Sequence, residues 1–229
     1  MSSARSRHIP TPVLVAIAIV LGAAAGVWWV YGMGPPSGNG VAAPVVASDD
    51  SASCTGNDAL SAALEPLARG EVAAMDIREP ALTLPPLTFD DSAGERRSLD
   101  DFSGTPLLVN FWATWCAPCR AEMPALAQLQ EEMGGDDFQV LAINIDTGDR
   151  SKPEAFLDEI GVSNLGLYRD ATMDVFNILK KRGLAFGLPA TLLVGADGCL
   201  LGVMNGPAEW ASPDAKALIA QLKAGTPQS

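Results

Sequence analysis

Two cysteines separated by two residues, Cys116 and Cys119 in Trp-Cys-Ala-Pro-Cys-Arg, are the side chains of this sequence best suited to chemistry. A thiolate attacks disulfides, and a second thiol one helical turn away can displace the mixed disulfide that forms. The pair reads as a dithiol/disulfide switch. Ahead of it, the run from Thr105 to Trp112 is almost continuously apolar beyond Gly104 and Pro106, which predicts a strand over 106–112 buried on both faces. Behind it, Leu126, Leu129 and Met133 fall on one side and Glu131 and Glu132 on the other, which predicts a helix over 116–133. The cysteines therefore sit where a core strand becomes a helix. Unpaired N–H groups and the positive end of the helix dipole favour an anion at Cys116 there, and Pro118 fits the first turn because its missing N–H does no harm.

A C-x-x-C pair is also half of a zinc site, but a second pair of ligands would have to come from Cys54, Cys199 and the single histidine, His8. No metal or cofactor is expected.

The segment Phe111-Trp-Ala-Thr-Trp-Cys-Ala-Pro-Cys-Arg120 resembles the active-site motif of the thioredoxin superfamily, and its continuation through Glu122 to Pro124 resembles the membrane-anchored TlpA-like and cytochrome-maturation branch. The likeness runs from about Ala59 to the end. It implies a thioredoxin-like α/β fold, a central mixed β-sheet flanked by helices, with an N-terminal extension and a βα insertion. By resemblance, Pro189 in Gly-Leu-Pro-Ala-Thr is the cis proline beside the cysteines, which leaves the backbone before it free to pair with a substrate's extended chain. Without the resemblance Pro189 only starts a strand. Trp115, Pro118 and Leu188 are the implied substrate-binding residues.

Proton handling departs from plain thioredoxin. Where thioredoxin carries a buried aspartate on its central strand this chain has Asn110, which cannot exchange a proton. Glu122, one turn past Cys119 on the same helix face and shared with TlpA-like proteins, is the candidate replacement. The alternative is a surface acid favoured by the helix dipole.

The resemblance also implies an activity: reduction of disulfides in partner proteins, with the pair kept reduced by a membrane electron donor. Implied partners are a copper chaperone, an oxidase copper subunit or an apocytochrome c. The alternative function is a Cu(I)-binding metallochaperone of thioredoxin-like fold, because soft thiolates suit Cu(I). Such chaperones usually separate their cysteines by three residues and add a histidine, and neither feature is present here. A peroxidase fits less, since a resolving cysteine this close is unlike peroxidatic sites.

Taken in order, residues 1–12 read as a cytoplasmic N-terminus and 13–31 as a transmembrane anchor, uncharged and long enough to span a bilayer. Arg5 and Arg7 precede the run, so the positive-inside rule places the rest outside, with Trp28, Trp29 and Tyr31 at the outer interface. The expected location is the inner membrane, single-pass, with the C-terminal domain in the periplasm. A signal peptide cleaved after Ala23-Ala24-Ala25 is the competing reading. Residues 32–58 read as a flexible linker and 59–229 as one thioredoxin-like domain. Within it a helix is expected over 60–75 with Asp58 as its cap, and a hairpin over 87–90 and 97–99. A strand over 138–146 follows, then a helix over 152–160 capped by Ser151, a strand over 165–168 and a helix over 171–180. A hairpin over 190–194 and 200–205 and a helix over 213–224 end the domain. Such alternation implies βαβ units with right-handed crossovers.

Cys54 and Cys199 complete an even set of cysteines, which in an exported protein suggests a structural disulfide. Two unpaired thiols, with Cys199 as core filling, are the alternative. The net charge of −12 argues against nucleic-acid binding, and the charges are interspersed rather than in runs, as on a solvated surface.

Overall fold

The apolar run before the cysteines forms a strand, Leu107–Trp112, in which every residue is buried. Such a strand needs hydrogen-bonded neighbours on both sides and packed layers on both faces. The computed structural model describes residues 54–225, which fall within one compact unit. The strands are β1 Asp76–Thr83, β2 Thr88–Asp90, β3 Arg96–Ser98, β4 Leu107–Trp112, β5 Gln139–Asn144, β6 Tyr168–Arg169, β7 Ala190–Val194 and β8 Cys199–Asn205. The helices are α1 Asp58–Leu64, α2 Ala117–Met133, α3 Ser151–Glu159, α4 Asp174–Lys181 and α5 Pro213–Ala224.

All eight strands form one sheet in the order β1-β8-β7-β4-β5-β6-β2-β3. The central trio β4, β5 and β6 is parallel, and the flanking strands are antiparallel. Register then fixes which ends meet. Trp112 pairs with Asn144 and Asn144 with Arg169, while Phe111 pairs with Ala190 and Ala190 with Asn205. These residues line one edge of the sheet, and the turn that carries the cysteines rises from it. Leu107 pairs with Val194 and Val194 with Leu200, so the start of β8 lies at the opposite edge.

Helix α2 buries Met123, Ala125, Leu126 and Leu129, and α5 buries Ala215, Leu218, Ile219 and Leu222. Each fully buried leucine contributes about 2 kcal/mol relative to exposure. Helix α5 starts as expected, with Ser212 Oγ accepting from Ala215 N and proline in the first turn.

The expected helix over 60–75 stops at Leu64, and short 3-10 turns over Glu65–Leu67 and Gly70–Val72 take its place. Pro66 has no N–H to continue the ladder, and Gly70 adopts φ 55°. Asn57 rather than Asp58 is the N-cap of α1, and Ser151 is the first residue of α3, behind Arg150. Strand β1, which carries charges and Pro80, is not among the elements expected from the sequence. It survives as an edge strand with a register shift between Ile77 and Leu82, where a proline costs no central ladder bond.

The single-pass inner-membrane placement with a periplasmic domain is corrected. Among the described residues no helix is long and apolar enough to cross a membrane. Helix α2 has 17 residues and carries Arg120, Glu122, Glu131 and Glu132, whereas a span needs about 20 predominantly apolar residues. The expected N-terminus 1–12, the anchor 13–31 with its alternative cleavage site, and positions 32–53 of the linker lie outside the described residues.

Candidate active site

Cys116 is the N-cap of α2: its backbone is extended, and its sulfur accepts from the Cys119 N–H at 3.3 Å. The two cysteines are joined as a disulfide. Cys116 retains 6 % of its surface and Cys119 none. Approach to the bond is thus from the Cys116 side, through a narrower opening than an exposed helix start would give.

The turn before Cys116 is held by a residue that sequence reasoning missed. Asp146, just beyond β5 and buried, accepts from the Thr114 N–H with both oxygens, at 3.2 and 3.0 Å, and from Asn144 Nδ2 at 3.0 Å. An acid closing an apolar parallel strand was the available signal. Trp112 packs against Phe156 with ring centroids 5.7 Å apart, and the Arg120 guanidinium covers the other aromatic at 4.7 Å.

Glu122 is buried, with 4 % of its surface exposed, and is no surface acid. Its Oε1 accepts from Asn110 Nδ2 at 2.8 Å, and its Oε2 accepts from Ala208 N at 3.2 Å and Trp210 Nε1 at 3.1 Å. Asn110 Nδ2 also donates to Thr191 Oγ1 at 3.0 Å, across the β4 to β7 pairing. None of these partners carries a positive charge. Burial therefore outweighs the three donated hydrogen bonds and pushes the carboxyl up to about 7. Such a group exchanges a proton near neutral pH, one helical turn from Cys119.

The Leu188–Pro189 bond is cis, and the proline carbonyl accepts from Gly206 N at 2.9 Å. Trp115 is 65 % exposed and Phe186 76 %. Pro118 is exposed, and Leu188 is half-buried against the core. The sequence reading included Trp115, Pro118 and Leu188 but missed Phe186, for which an aromatic beside Gly187-Leu188-Pro189 was the only clue.

Residues 79–201 match the AhpC/TSA family, over half of the 229-residue chain. The chain belongs to the AhpC/TSA family. Its fold is thioredoxin-like α/β, with the mixed central sheet flanked by helices. It is 43 % identical over 76 residues to the thioredoxin-like protein YneN of Bacillus subtilis, covering 32 % of this chain and 44 % of that one. It is 27 % identical over 122 residues to the thiol-disulfide oxidoreductase ResA of the same organism, covering 53 % of this chain and 65 % of that one. This chain thus spans less than two thirds of either relative. A solved DsbE-type thiol:disulfide interchange protein of Chlorobium tepidum superposes with a TM-score of 0.50 at 27 % identity, covering 61 % of this chain and 92 % of that one.

This AhpC/TSA-family domain carries a second disulfide, Cys54 to Cys199, with Cα atoms 5.6 Å apart and a sequence separation of 145. Both cysteines are buried. Asp197 links their surroundings, since its Oδ1 accepts from Cys199 N at 3.1 Å and its Oδ2 from Asn57 Nδ2 at 2.8 Å. Among the described residues no cluster of three or more histidine, cysteine or acidic side chains is placed to hold a metal ion.

Proposed function

We propose that this chain is a thiol:disulfide oxidoreductase of the TlpA- and ResA-like kind, which reduces disulfides of partner proteins in an extracytoplasmic, oxidising compartment. The observation that carries the reading is the start of α2, where the Cys119 N–H points at the Cys116 sulfur and a buried carboxylate without a cationic partner follows one turn later. The Cys54 to Cys199 disulfide supports the compartment, because such bonds persist where thiols are not kept reduced.

In the reduced form the Cys116 thiolate attacks one sulfur of a partner disulfide. A Cys116 mixed disulfide forms, and the partner's other sulfur leaves as a thiolate. Glu122 takes the Cys119 proton, the Cys119 thiolate attacks Cys116 Sγ, and the second partner sulfur departs. The partner gains two electrons, and its two thiolates take up one proton from solvent and the one that passed from Cys119 to Glu122, while the chain is left with the Cys116 to Cys119 disulfide. A membrane electron donor of lower potential then restores the dithiol.

The partners are cysteine pairs in a copper chaperone, an oxidase copper subunit or an apocytochrome c, for oxidase or cytochrome assembly. Resemblance through Glu122 and Pro124 supports that class. During docking Trp115, Pro118 and Leu188 contact the partner chain, and the Leu188 N–H and C=O, which make no hydrogen bond among the described residues, pair with its backbone.

The test is turnover by the reduced full chain of oxidised peptides carrying either C-x-x-x-C or C-x-x-C-H, with Cys119→Ser run in parallel. Wild type is expected to release peptide dithiol, and Cys119→Ser to stall with peptide bonded to Cys116. Stoichiometric Cu(I) binding without disulfide turnover would replace this reading with that of a copper carrier.

A further inference from the structure

We propose that Asn110 holds the resolving thiol: once the Cys116 to Cys119 bond is open, the Cys119 S–H donates to Asn110 Oδ1. The inference rests on the reductase reading and adds a residue to its second step.

Asn110 sits in the middle of the sheet, paired with Ala142 on one side and Thr191 on the other, and it is fully buried. Its amide is fixed at one end, because Nδ2 donates to Glu122 Oε1 at 2.8 Å and to Thr191 Oγ1 at 3.0 Å. Those two bonds use both donors of the amide and turn its carbonyl end away from both partners. Oδ1 has no hydrogen-bond partner among the described residues. A buried amide oxygen is costly to leave unpaired, so a donor that arises in another state of the molecule is the natural account of it.

Helix α2 brings that donor. Glu122 lies against Asn110, and two turns later Gln130 Oε1 accepts at 2.7 Å from the N–H of Val140, the residue paired with Leu108. The helix therefore runs back along β4, from the end of the strand toward its start. Cys119, three residues before Glu122, lies about 4.5 Å nearer the active-site edge, while Trp112, two residues beyond Asn110 on the same strand face, lies about 6.6 Å that way. Trp112 packs on Phe156, and the Arg120 guanidinium covers Phe156, which ties the first turn of α2 to the Trp112 end of the strand. Cys119 is fully buried and thus lies over the stretch of β4 between Asn110 and Trp112.

The other side chains set around the amide offer Oδ1 nothing. Leu108 and Ala142 carry no donor, and Trp112 Nε1, which also has no partner among the described residues, does not reach it. Cys119 differs, because its sulfur is bonded to Cys116 in the disulfide and carries a hydrogen once the pair is reduced. One amide then joins the resolving thiol to its base. In the dithiol the proton stays on sulfur, directed at Asn110. During resolution the S–H turns to Glu122, the S–H bond breaks as an O–H bond forms on the carboxylate, and the freed electron pair on Cys119 attacks Cys116 Sγ while the partner sulfur leaves with the electrons of the mixed disulfide.

The test begins with the full chain carrying Cys116→Ala, in which Cys54 and Cys199 stay bonded and Cys119 is the one thiol left of four cysteines. Its S–H stretching band in the infrared is expected below the position of a thiol that has no acceptor. Adding Asn110→Leu returns the band to that position, whereas adding Asn110→Asp, which keeps an oxygen there, or Glu122→Gln leaves it shifted. With both active-site cysteines in place, Asn110→Leu slows resolution of a Cys116 mixed disulfide about tenfold, more than it slows the first attack. A band at the position of an unbonded thiol in Cys116→Ala overturns the proposal without any change at Asn110. A shift that survives Asn110→Leu assigns the acceptor to another group and overturns it as well. If wild type reduces insulin, that failure leaves the reductase reading standing. A shifted band that Asn110→Leu abolishes, in a chain whose wild type reduces no disulfide, supports the hydrogen bond and overturns the reductase reading instead.

Discussion

Cys116 and Cys119 lie on one strand-to-helix turn, three positions apart, whereas Cys54 and Cys199 join the segment before α1 to the first residue of β8 across 145 positions. Register puts the two bonds at opposite edges of the sheet. The first closes so short a loop that it constrains little beyond its own turn. The second closes most of the domain. A buried carboxylate with a raised pKa and the exposed Trp115 ring flank the first along the chain, while Asp197 links the surroundings of the second, accepting from Cys199 N and Asn57 Nδ2. The same covalent bond thus has different surroundings in the two places, and the proposed function makes the first a reagent and the second a fastening.

The largest expected effect comes from removing the fastening. Replacing Cys54 and Cys199 together with serine should lower stability by about 5 kcal/mol in the chain-entropy account, read from denaturant midpoints under non-reducing conditions. Disulfide turnover per folded molecule should change by less than about twofold. A loss under about 1 kcal/mol would mean that the loop is held closed without the bond.

Next comes the carboxylate that sets the first bond apart. The Glu122 pKa is raised by burial from 4.5 to about 7, so the folded chain binds more protons than the unfolded one between those values. Stability associated with the protonated group is complete below pH 4.5 and is lost as pH rises through 7. Relative to Glu122→Gln, wild type should lose about 3 kcal/mol between pH 4 and pH 8 in urea unfolding of the oxidised protein. Resolution of a Cys116 mixed disulfide should slow about 10²-fold in the variant if the carboxylate takes the Cys119 proton. Parallel pH profiles and equal resolution rates would reduce Glu122 to a structural acid.

The smallest effect tests what holds the reactive turn. Asp146→Ala leaves the Thr114 N–H without its acceptor and should cost about 2 kcal/mol, with a slower first attack by Cys116 measured in stopped flow. An unchanged attack rate would show that the turn is positioned without Asp146.

Local pattern carried much of this into view. The continuous apolar run of β4, the cysteine pair at the start of α2, the Ser212-Pro213 opening of α5 and the β7 to β8 hairpin all carry a signal in neighbouring residues, and each is found where periodicity and turn chemistry put it. Strand β1 escaped because its stability comes from β8, more than a hundred residues later, and not from its own pattern. The end of α1 differs for another reason: apolar spacing continues past Leu64, but Pro66 has no N–H to carry the helix on.

At the site, residue types and spacing pointed to Cys116, Cys119 and Glu122 as candidates, because a helix start and a three-residue spacing are local geometry, whereas Pro189 came from the family resemblance. They could not supply the state of Glu122. Its pKa depends on burial beneath residues 86 and 88 positions away, Ala208 and Trp210, and on Asn110 from a different strand. Desolvation is a property of everything packed around a group, so only the tertiary structure decides it. The same holds for Phe186, whose exposure depends on a clamp from Asn205, and for Asp146, whose oxygens find Thr114 across two strands. Sequence by itself picked out the two sulfurs proposed to react. Tertiary packing decided the dielectric around them, the face they present and the edge of the sheet on which each cysteine pair stands.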